Sequence, residues 1–275
     1  MGNPSHQGQV AAELTGSIRA AYDAVPGSWA AGPGPVYAAL ATALAGQAGP
    51  LLRGARVLDL GAGTGAAGRA ALAAGAAAVV AADVATGPLR QCGPRLWPVA
   101  GDAAALPFRN DSFGLVMAAF SLTHVSRPDA VLAETRRVGR AIAASTFAPG
   151  WTHPAKGAVD AVLVRFGYRP PSWYLTVKQD TEPRFGDPRV VRRLALAAGY
   201  RTCESSALAV QTGLSAPAQL AAWRLGLAHV APFVAGLPAG RRDELRRAAE
   251  AAIGCSEPLV VEMLVHLASE RPAGA

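Results

Sequence analysis

The stretch that decides the fold is VLDLGAGTG, residues 57–65, where a short apolar run changes abruptly into closely spaced glycines. A run of this length indicates a buried β-strand at residues 56–60, and the alanine-rich segment that continues to about residue 74 indicates a helix. A second apolar run, residues 78–83, follows Gly75. Two strands on either side of one helix form a βαβ unit, so the chain is predicted to contain a parallel sheet.

Further strand and helix signals extend this pattern along the chain. Five more apolar runs are predicted strands: residues 97–102, 113–120, 140–147, 200–210 and 259–267. Helical periodicity fills the intervals, as in the segments that begin at Pro128 and Pro188. The alternation predicts one α/β sheet that is mostly parallel and carries helices on both faces.

The composition is that of a globular protein. Of 275 residues, 51% are hydrophobic and 16% are charged, so the chain can bury a sizeable core and is not a disordered segment. The net charge is +7, but all basic residues except Lys156 and Lys178 are scattered arginines, a pattern that does not by itself indicate nucleic-acid binding. The three cysteines lack metal-ligand spacing, which predicts a reducing, cytoplasmic setting without a metal site. Neither a signal peptide nor a membrane span is expected.

The glycine-rich turn is the first candidate for a binding site. Between a strand and a helix, such a turn lets backbone N–H groups approach a ligand near the positive end of the helix dipole. Residues 63–68 satisfy Gly-x-Gly-x-x-Gly, and Asp83 follows at the distance of an acid that binds ribose hydroxyls. These residues alone are also compatible with a nicotinamide-dependent dehydrogenase.

Further motifs follow the turn in a characteristic order: Asp83, then GDA at 101–103 with LPF at 106–108, then FGLV at 113–116. In this order and spacing, residues 55–147 resemble the class I S-adenosylmethionine-dependent methyltransferases of the type 11-like group. The resemblance implies a Rossmann-like fold with a seven-stranded, mostly parallel sheet and a final antiparallel strand. It also implies S-adenosyl-L-methionine as cofactor and S-adenosyl-L-homocysteine as product.

The resemblance assigns roles to individual residues around the cofactor. Asp83 would hold the ribose hydroxyls, Asp102 would accept from the adenine amine, and the glycines would lie under the methionine part. The whole expected set is Tyr22, Asp59, Gly61, Ala62, Gly63, Gly65, Asp83, Val84, Asp102, Ala103 and Phe120. One departure is Gly139-Arg140, where relatives commonly have Pro-Gly-Gly, and it puts the sheet geometry before the fifth strand in question.

The acceptor side is less clearly marked. Methyl transfer requires an aligned acceptor and the exclusion of water, and a base matters only for a hydroxyl or activated-carbon acceptor. The candidate catalytic residues are His124, at the carboxyl edge of the fourth strand, and His153, in the segment after the fifth. The candidate substrate-binding residues are aromatic: Trp29, Tyr37, Trp151, Trp173, Tyr174 and Trp223.

We expect residues 1–275 to form a single methyltransferase domain. Its expected parts are an N-terminal helical lid (1–50), a cofactor-binding core (51–147), two lid insertions (148–186 and 212–256) and two core-completing segments (187–211 and 257–268).

The expected function is methyl transfer to an O, N or C atom of a small, apolar metabolite, in specialised (natural product) biosynthesis. Amino-directed nucleic-acid methyltransferases carry Asn/Asp-Pro-Pro-Tyr/Phe after the fourth strand, and its absence favours a small molecule, with no nucleic-acid or membrane partner. Three alternatives stay open: an RNA methyltransferase, a non-methylating cyclase or binding protein of this fold, and an NAD-dependent oxidoreductase. The acceptor, the methylated atom and the oligomeric state also stay open.

Overall fold

A computed structural model describes residues 4–270 of the protein, except for the side chains of residues 4–7, 10 and 26. The strands are β1 (Arg56–Leu60), β2 (Ala78–Asp83), β3 (Trp97–Ala100), β4 (Leu115–Ala119), β5 (Ala141–Phe147), β6 (Thr202–Gln211) and β7 (Val260–Ser269). The helices are α1 (Pro4–Asp23), α2 (Pro26–Ala31), α3 (Pro33–Ala48), α4 (Ala66–Ala73), α5 (Thr86–Leu89), α6 (Pro128–Val138), α7 (Pro154–Arg165), α8 (Ser172–Thr176), α9 (Glu182–Phe185), α10 (Pro188–Ala197), α11 (Pro217–Leu225), α12 (Ala231–Gly236) and α13 (Ala239–Ile253). Short 3₁₀ turns cover Gly49–Leu51 and Leu122–His124, and a π-helical turn covers Val177–Thr181.

All seven strands form one sheet in the order β3-β2-β1-β4-β5-β7-β6. Strands β1 to β5 are parallel to their neighbours, and β7 is antiparallel to both β5 and β6. The predicted α/β fold, with a mostly parallel sheet and a final antiparallel strand, is confirmed. The strand order reverses between β1 and β4, and open α/β sheets bind ligands beyond the carboxyl ends of their strands at such a point.

Both faces of the sheet are buried. Val57 of β1 belongs to the core that contains α3, α4, α7, α11 and α13, whereas Leu58 belongs to the core that contains α6 and α10. Successive side chains of a strand point to opposite faces, so an almost continuous apolar run is what a sheet covered on both sides requires.

The connection before β5 is regular despite its unusual sequence. Arg140 N donates to Phe113 O at 3.2 Å, and β5 pairs with β4 in parallel register. A Cβ at position 139 would lie 2.6 Å from Val116 Cγ2, so Gly139 permits a close approach that a larger residue would prevent. The missing Pro-Gly-Gly turn therefore leaves the sheet intact.

Helices outside the sheet layers enclose its carboxyl edge. An apolar cluster joins Ile18 of α1 with Trp173 of α8 and Ala231 of α12, and Asp23 Oδ1 accepts Gly87 N at 2.6 Å. Within the N-terminal region, α1 thus contacts the two insertions, whereas α3 packs against α4 as part of a sheet-covering layer. Among residues 4–270, no helix combines the length and apolarity needed to cross a membrane.

Candidate functional site

The glycine turn between β1 and α4 presents bare backbone to an open space. Gly61 N and Ala62 N both donate to Ala82 O, at 2.8 and 3.1 Å. Gly61 has a φ of +68°, and a Cβ there would lie 2.3 Å from Ser121 Cβ, so this position requires glycine. Gly63 also has positive φ, but a Cβ there would meet no described atom within 4 Å.

Two carboxylates hold this turn in place. Asp59 Oδ2 accepts Gly68 N at 2.6 Å, and the two oxygens of Asp83 accept Gly63 N at 2.7 Å and Ala85 N at 2.8 Å. Burial raises the pKa of Asp59 to about 7, against the opposing effect of the Gly68 N–H. Burial also raises the pKa of Asp83, against the backbone N–H groups that it accepts. Each Asp83 oxygen accepts one N–H and keeps a second lone pair for a ligand donor.

A cavity of about 630 Å³ lies against the turn, and we term it the glycine-turn cavity. Most of the expected cofactor-binding set lines it: Tyr22, Asp59, Gly61, Ala62, Gly63, Asp83, Val84, Asp102, Ala103 and Phe120. Helix α1 contributes Thr15 and Arg19, which the sequence pattern does not single out. The cavity therefore combines exposed backbone, two carboxylates and apolar surface.

A second cavity, of about 770 Å³, lies next to the first, and we term it the aromatic cavity. All the expected substrate-binding side chains line it: Trp29, Tyr37, Trp151, Trp173, Tyr174 and Trp223. Phe147 and Trp151 stack with their ring centroids 5.1 Å apart and their planes at 8°. Such walls suit a flat, largely apolar ligand.

The two cavities share one boundary. The residues that line both are Tyr22, Trp29, Tyr37, Phe120 and His124. Phe120 ends β4 with a φ of +58°, a conformation that costs energy in a bulky residue and that is found at ligand sites more often than elsewhere. The structure thus concentrates aromatic side chains and one histidine where contents of the two cavities would meet.

His124 has the geometry of a proton acceptor at this boundary. Its Nδ1 lies 3.3 Å from Phe120 O and 3.2 Å from Thr123 Oγ1, and its Nε2 lies 3.4 Å from the Tyr22 hydroxyl oxygen. A carbonyl only accepts, so we assign the hydrogen to Nδ1 and the free lone pair to Nε2. Burial holds the pKa of His124 below its ordinary value. The neutral imidazole is therefore available as a base at neutral pH.

Two of the expected site residues lie elsewhere and are corrected. Gly65 caps α4 with a φ of +81°, and a Cβ there would lie 2.5 Å from Leu96 Cδ1, so it serves packing. His153 is buried, and its Nδ1 accepts Ala155 N at 3.2 Å as the cap of α7. Among the described residues, neither lines either cavity.

The aromatic cavity also contains ionisable side chains that the sequence pattern missed: Lys156, Lys178, Glu182, Arg224 and His229. His229 Nδ1 lies 2.8 Å from the Tyr168 hydroxyl oxygen, and its ring stacks on Tyr174 with centroids 3.7 Å apart. Burial lowers the pKa of His229 to about 3, so it is neutral. The one available signal was the rarity of lysine in an arginine-rich chain.

Comparison with known proteins places the glycine turn in a family. A family model described as a methyltransferase domain matches residues 58–141. This segment is a class I methyltransferase domain. The chain is 43% identical over 106 residues to a demethylmenaquinone methyltransferase of Beutenbergia cavernae, over 36% of this chain and 43% of that protein. The chain thus spans less than half the length of the curated relatives it matches.

Solved structures share the fold of the methyltransferase domain. Haemonchus contortus phosphoethanolamine N-methyltransferase 2 in complex with S-adenosyl-L-methionine matches with a TM-score of 0.51 and 16% identity, over 84% of this chain and 52% of that chain. A putative methyltransferase from Bacillus halodurans C-125 matches with a TM-score of 0.50 and 15% identity, over 84% and 99%. The family match ends at residue 141, so the walls of the aromatic cavity from Phe147 onwards lie outside it.

Proposed function

We propose that the protein transfers a methyl group from S-adenosyl-L-methionine to an O, N or C atom of a small aromatic metabolite. The shared boundary of the glycine-turn cavity and the aromatic cavity carries this proposal, because a cofactor in one and an acceptor in the other would meet there. Both volumes fall in the range of small-ligand sites, roughly 300–1,000 Å³.

The glycine-turn cavity suits this cofactor. Asp83 and Asp102 offer carboxylate oxygens to ribose hydroxyls and to an adenine amine, which are donors, whereas both would repel the phosphates of a dinucleotide. Val84 offers apolar surface to the adenine ring, and the bare backbone of Gly61 and Gly63 leaves room for the methionine part. When bound, the cofactor supplies a methyl group activated by a sulfonium.

The chain itself contributes alignment, exclusion of water and acceptance of a proton. The stacked rings of Phe147 and Trp151 and the pair Trp29–Tyr37, with centroids 4.8 Å apart, hold a flat acceptor in a defined orientation. For a hydroxyl acceptor, Nε2 of His124 accepts the proton that the oxygen loses, and the imidazole becomes imidazolium. An amine with a free lone pair needs no such base.

The acceptor class follows from the aromatic cavity and is supported by the relatives. Its aromatic walls favour a ring over a flexible chain. Curated relatives carry the name demethylmenaquinone methyltransferase, which supports a quinone-related ring and a biosynthetic role.

The alternatives fit less well. The strand order places β7 between β5 and β6, unlike the 3-2-1-4-5-6 order of dinucleotide-binding sheets. The arginine-rich helices are largely neutralised within themselves, with Arg137–Glu134 at 2.6 Å and Arg241–Glu244 at 2.5 Å. These pairs leave little uncompensated charge for an RNA backbone.

Calorimetric titration with S-adenosyl-L-methionine, S-adenosyl-L-homocysteine and NAD tests the proposal. We expect micromolar binding of the first two and none of NAD. Binding of NAD without binding of S-adenosyl-L-homocysteine would overturn the proposed function and reassign the glycine turn to a dinucleotide.

A further inference from the structure

The charged side chains around the aromatic cavity pair with one another, with one exception. The pairs are Lys178–Glu182 at 2.6 Å, Arg189–Asp187 at 3.0 Å and Arg224–Asp160 at 2.6 Å. Lys156 remains: among the described residues, its ammonium group has no ion pair or hydrogen bond. The lining therefore carries one positive charge that no carboxylate of the described chain compensates.

Lys156 is held where its charge is costly. It lies in the first turn of α7, is half-buried, and faces the aromatic cavity. Burial lowers the pKa of Lys156, and the charges of Lys178 and Arg224 lower it further. A partly desolvated ammonium group without a partner is stabilised by an anion placed beside it.

Arg224 supplies an independent sign of an absent acceptor. The residue is only 4% exposed, and its Nε is buried without a hydrogen-bond partner in the described chain. One terminal nitrogen already donates to Asp160 at 2.6 Å. A buried guanidinium N–H without an acceptor is expensive, so an oxygen at this wall would relieve it.

We infer that the acceptor is an aromatic monoanion, with a carboxylate as its anionic group, and that Lys156 and Arg224 bind that group. This inference rests on the proposed function and specifies its substrate class. One uncompensated charge calls for a monoanion, and the two oxygens of a carboxylate can serve an ammonium group and a guanidinium N–H together. The ring of the same molecule would lie among the aromatic walls, with Trp223 beneath the Arg224 guanidinium at 5.4 Å.

Calorimetry with 2-naphthoate and its neutral analogue 2-naphthamide at pH 7.5 tests the inference on the complete chain. We expect 2-naphthoate to bind more tightly, and Lys156→Gln to weaken it roughly tenfold or more while leaving 2-naphthamide unchanged. Lys156→Arg should retain most of the preference. The matched control is Arg165→Gln, which removes the same charge from an exposed position of α7 and should change neither affinity.

Several outcomes would overturn the inference. They are equal binding of the two probes, binding of neither, or equal weakening of 2-naphthoate by Lys156→Gln and Arg165→Gln. If Lys156→Gln does not fold, the preference of the unaltered protein for 2-naphthoate over 2-naphthamide decides the question.

The two proposals fail separately. Binding of S-adenosyl-L-homocysteine without a preference for 2-naphthoate removes the anionic acceptor and leaves methyl transfer standing. A Lys156-dependent preference without binding of S-adenosyl-L-homocysteine leaves an anion-binding cavity and removes methyl transfer.

Discussion

The hydroxyl oxygen of Tyr22 lies 3.4 Å from Nε2 of His124, although the two residues are 102 positions apart in the chain. Tyr22 belongs to α1 and His124 to the 3₁₀ turn after β4, so this contact joins a covering helix to the sheet edge. Their rings meet edge to face with centroids 5.9 Å apart. Burial raises the pKa of Tyr22 far above its ordinary value, so its hydroxyl stays protonated and can donate to the neutral imidazole.

Replacing Tyr22 by Phe should raise the pKa of His124. The Tyr22 hydroxyl donates to the neutral form of the imidazole, and a bond to the neutral form depresses a histidine pKa. Burial of His124 is the larger cause and remains, so the pKa should move towards its ordinary value without reaching it. NMR titration of the five histidines, assigned with His124→Gln, measures the change.

Tyr168→Phe is the control for this titration. Its hydroxyl lies against His229, so it should alter the His229 signal and leave that of His124 in place. An unchanged His124 pKa in Tyr22→Phe would show that the contact does not tune the base.

Replacing Asp83 by Ala should weaken binding of S-adenosyl-L-homocysteine by roughly tenfold to a hundredfold, the range of hydrogen bonds to a charged group. The substitution removes the carboxylate proposed for the ribose and also frees Gly63 N and Ala85 N. Calorimetry gives the affinity, and circular dichroism shows whether the fold survives. Asp111→Ala, at a side chain 52% exposed, should leave the affinity unchanged. Unchanged affinity in Asp83→Ala would exclude Asp83 from the site.

Asp59 should make the protein less stable as the pH rises. Its pKa is about 7 in the folded chain, against an ordinary value near 4, so the folded state binds more protons between these pH values. The free energy of unfolding then decreases as the pH rises from about 4 to about 7. Asp59→Asn cannot ionise and can still accept Gly68 N, so it should flatten this dependence.

Urea unfolding at pH 5 and pH 8 measures the effect. Asp59→Asn should gain stability relative to the unaltered protein at pH 8 but not at pH 5. Asp111→Asn, at an exposed site, should follow the unaltered protein. Equal shifts for Asp59→Asn at the two pH values would contradict the assigned pKa.

Gly61→Ala should destabilise the protein more than Gly63→Ala. Both positions have positive φ, which costs about 1 kcal/mol or more for alanine. Only Gly61 also faces a collision, with Ser121 Cβ at 2.3 Å, and overpacking adds roughly 1–3 kcal/mol. Thermal or urea unfolding gives the difference, and Ser121→Gly in the Gly61→Ala background should recover part of it. Equal losses for the two variants would show that the backbone accommodates the clash.

The fold could be predicted from sequence because its signals are local. An apolar run of strand length, three glycines and an alanine-rich helix lie within 19 residues at 56–74, and the same alternation recurs down the chain. The glycines are recognisable because a left-handed turn and a close approach exclude side chains, as at Gly61. Gly65 shows the limit of this reasoning, since the same motif position serves packing against Leu96 instead of the cavity.

The aromatic cavity was decided by tertiary structure. The aromatic residues could be named from sequence, but which polar groups join them could not: His153 became a helix cap, whereas Lys156, Arg224 and His229 reached the wall. Arg224 meets its partner Asp160 across 64 positions, and Tyr168 meets His229 across 61. Sequence patterns report which face of a strand or helix is buried, because that depends on residues a few positions apart. The charge balance of a cavity depends on how separate helices pack, and only the folded chain brings α1, α7, α8 and α11 around one space.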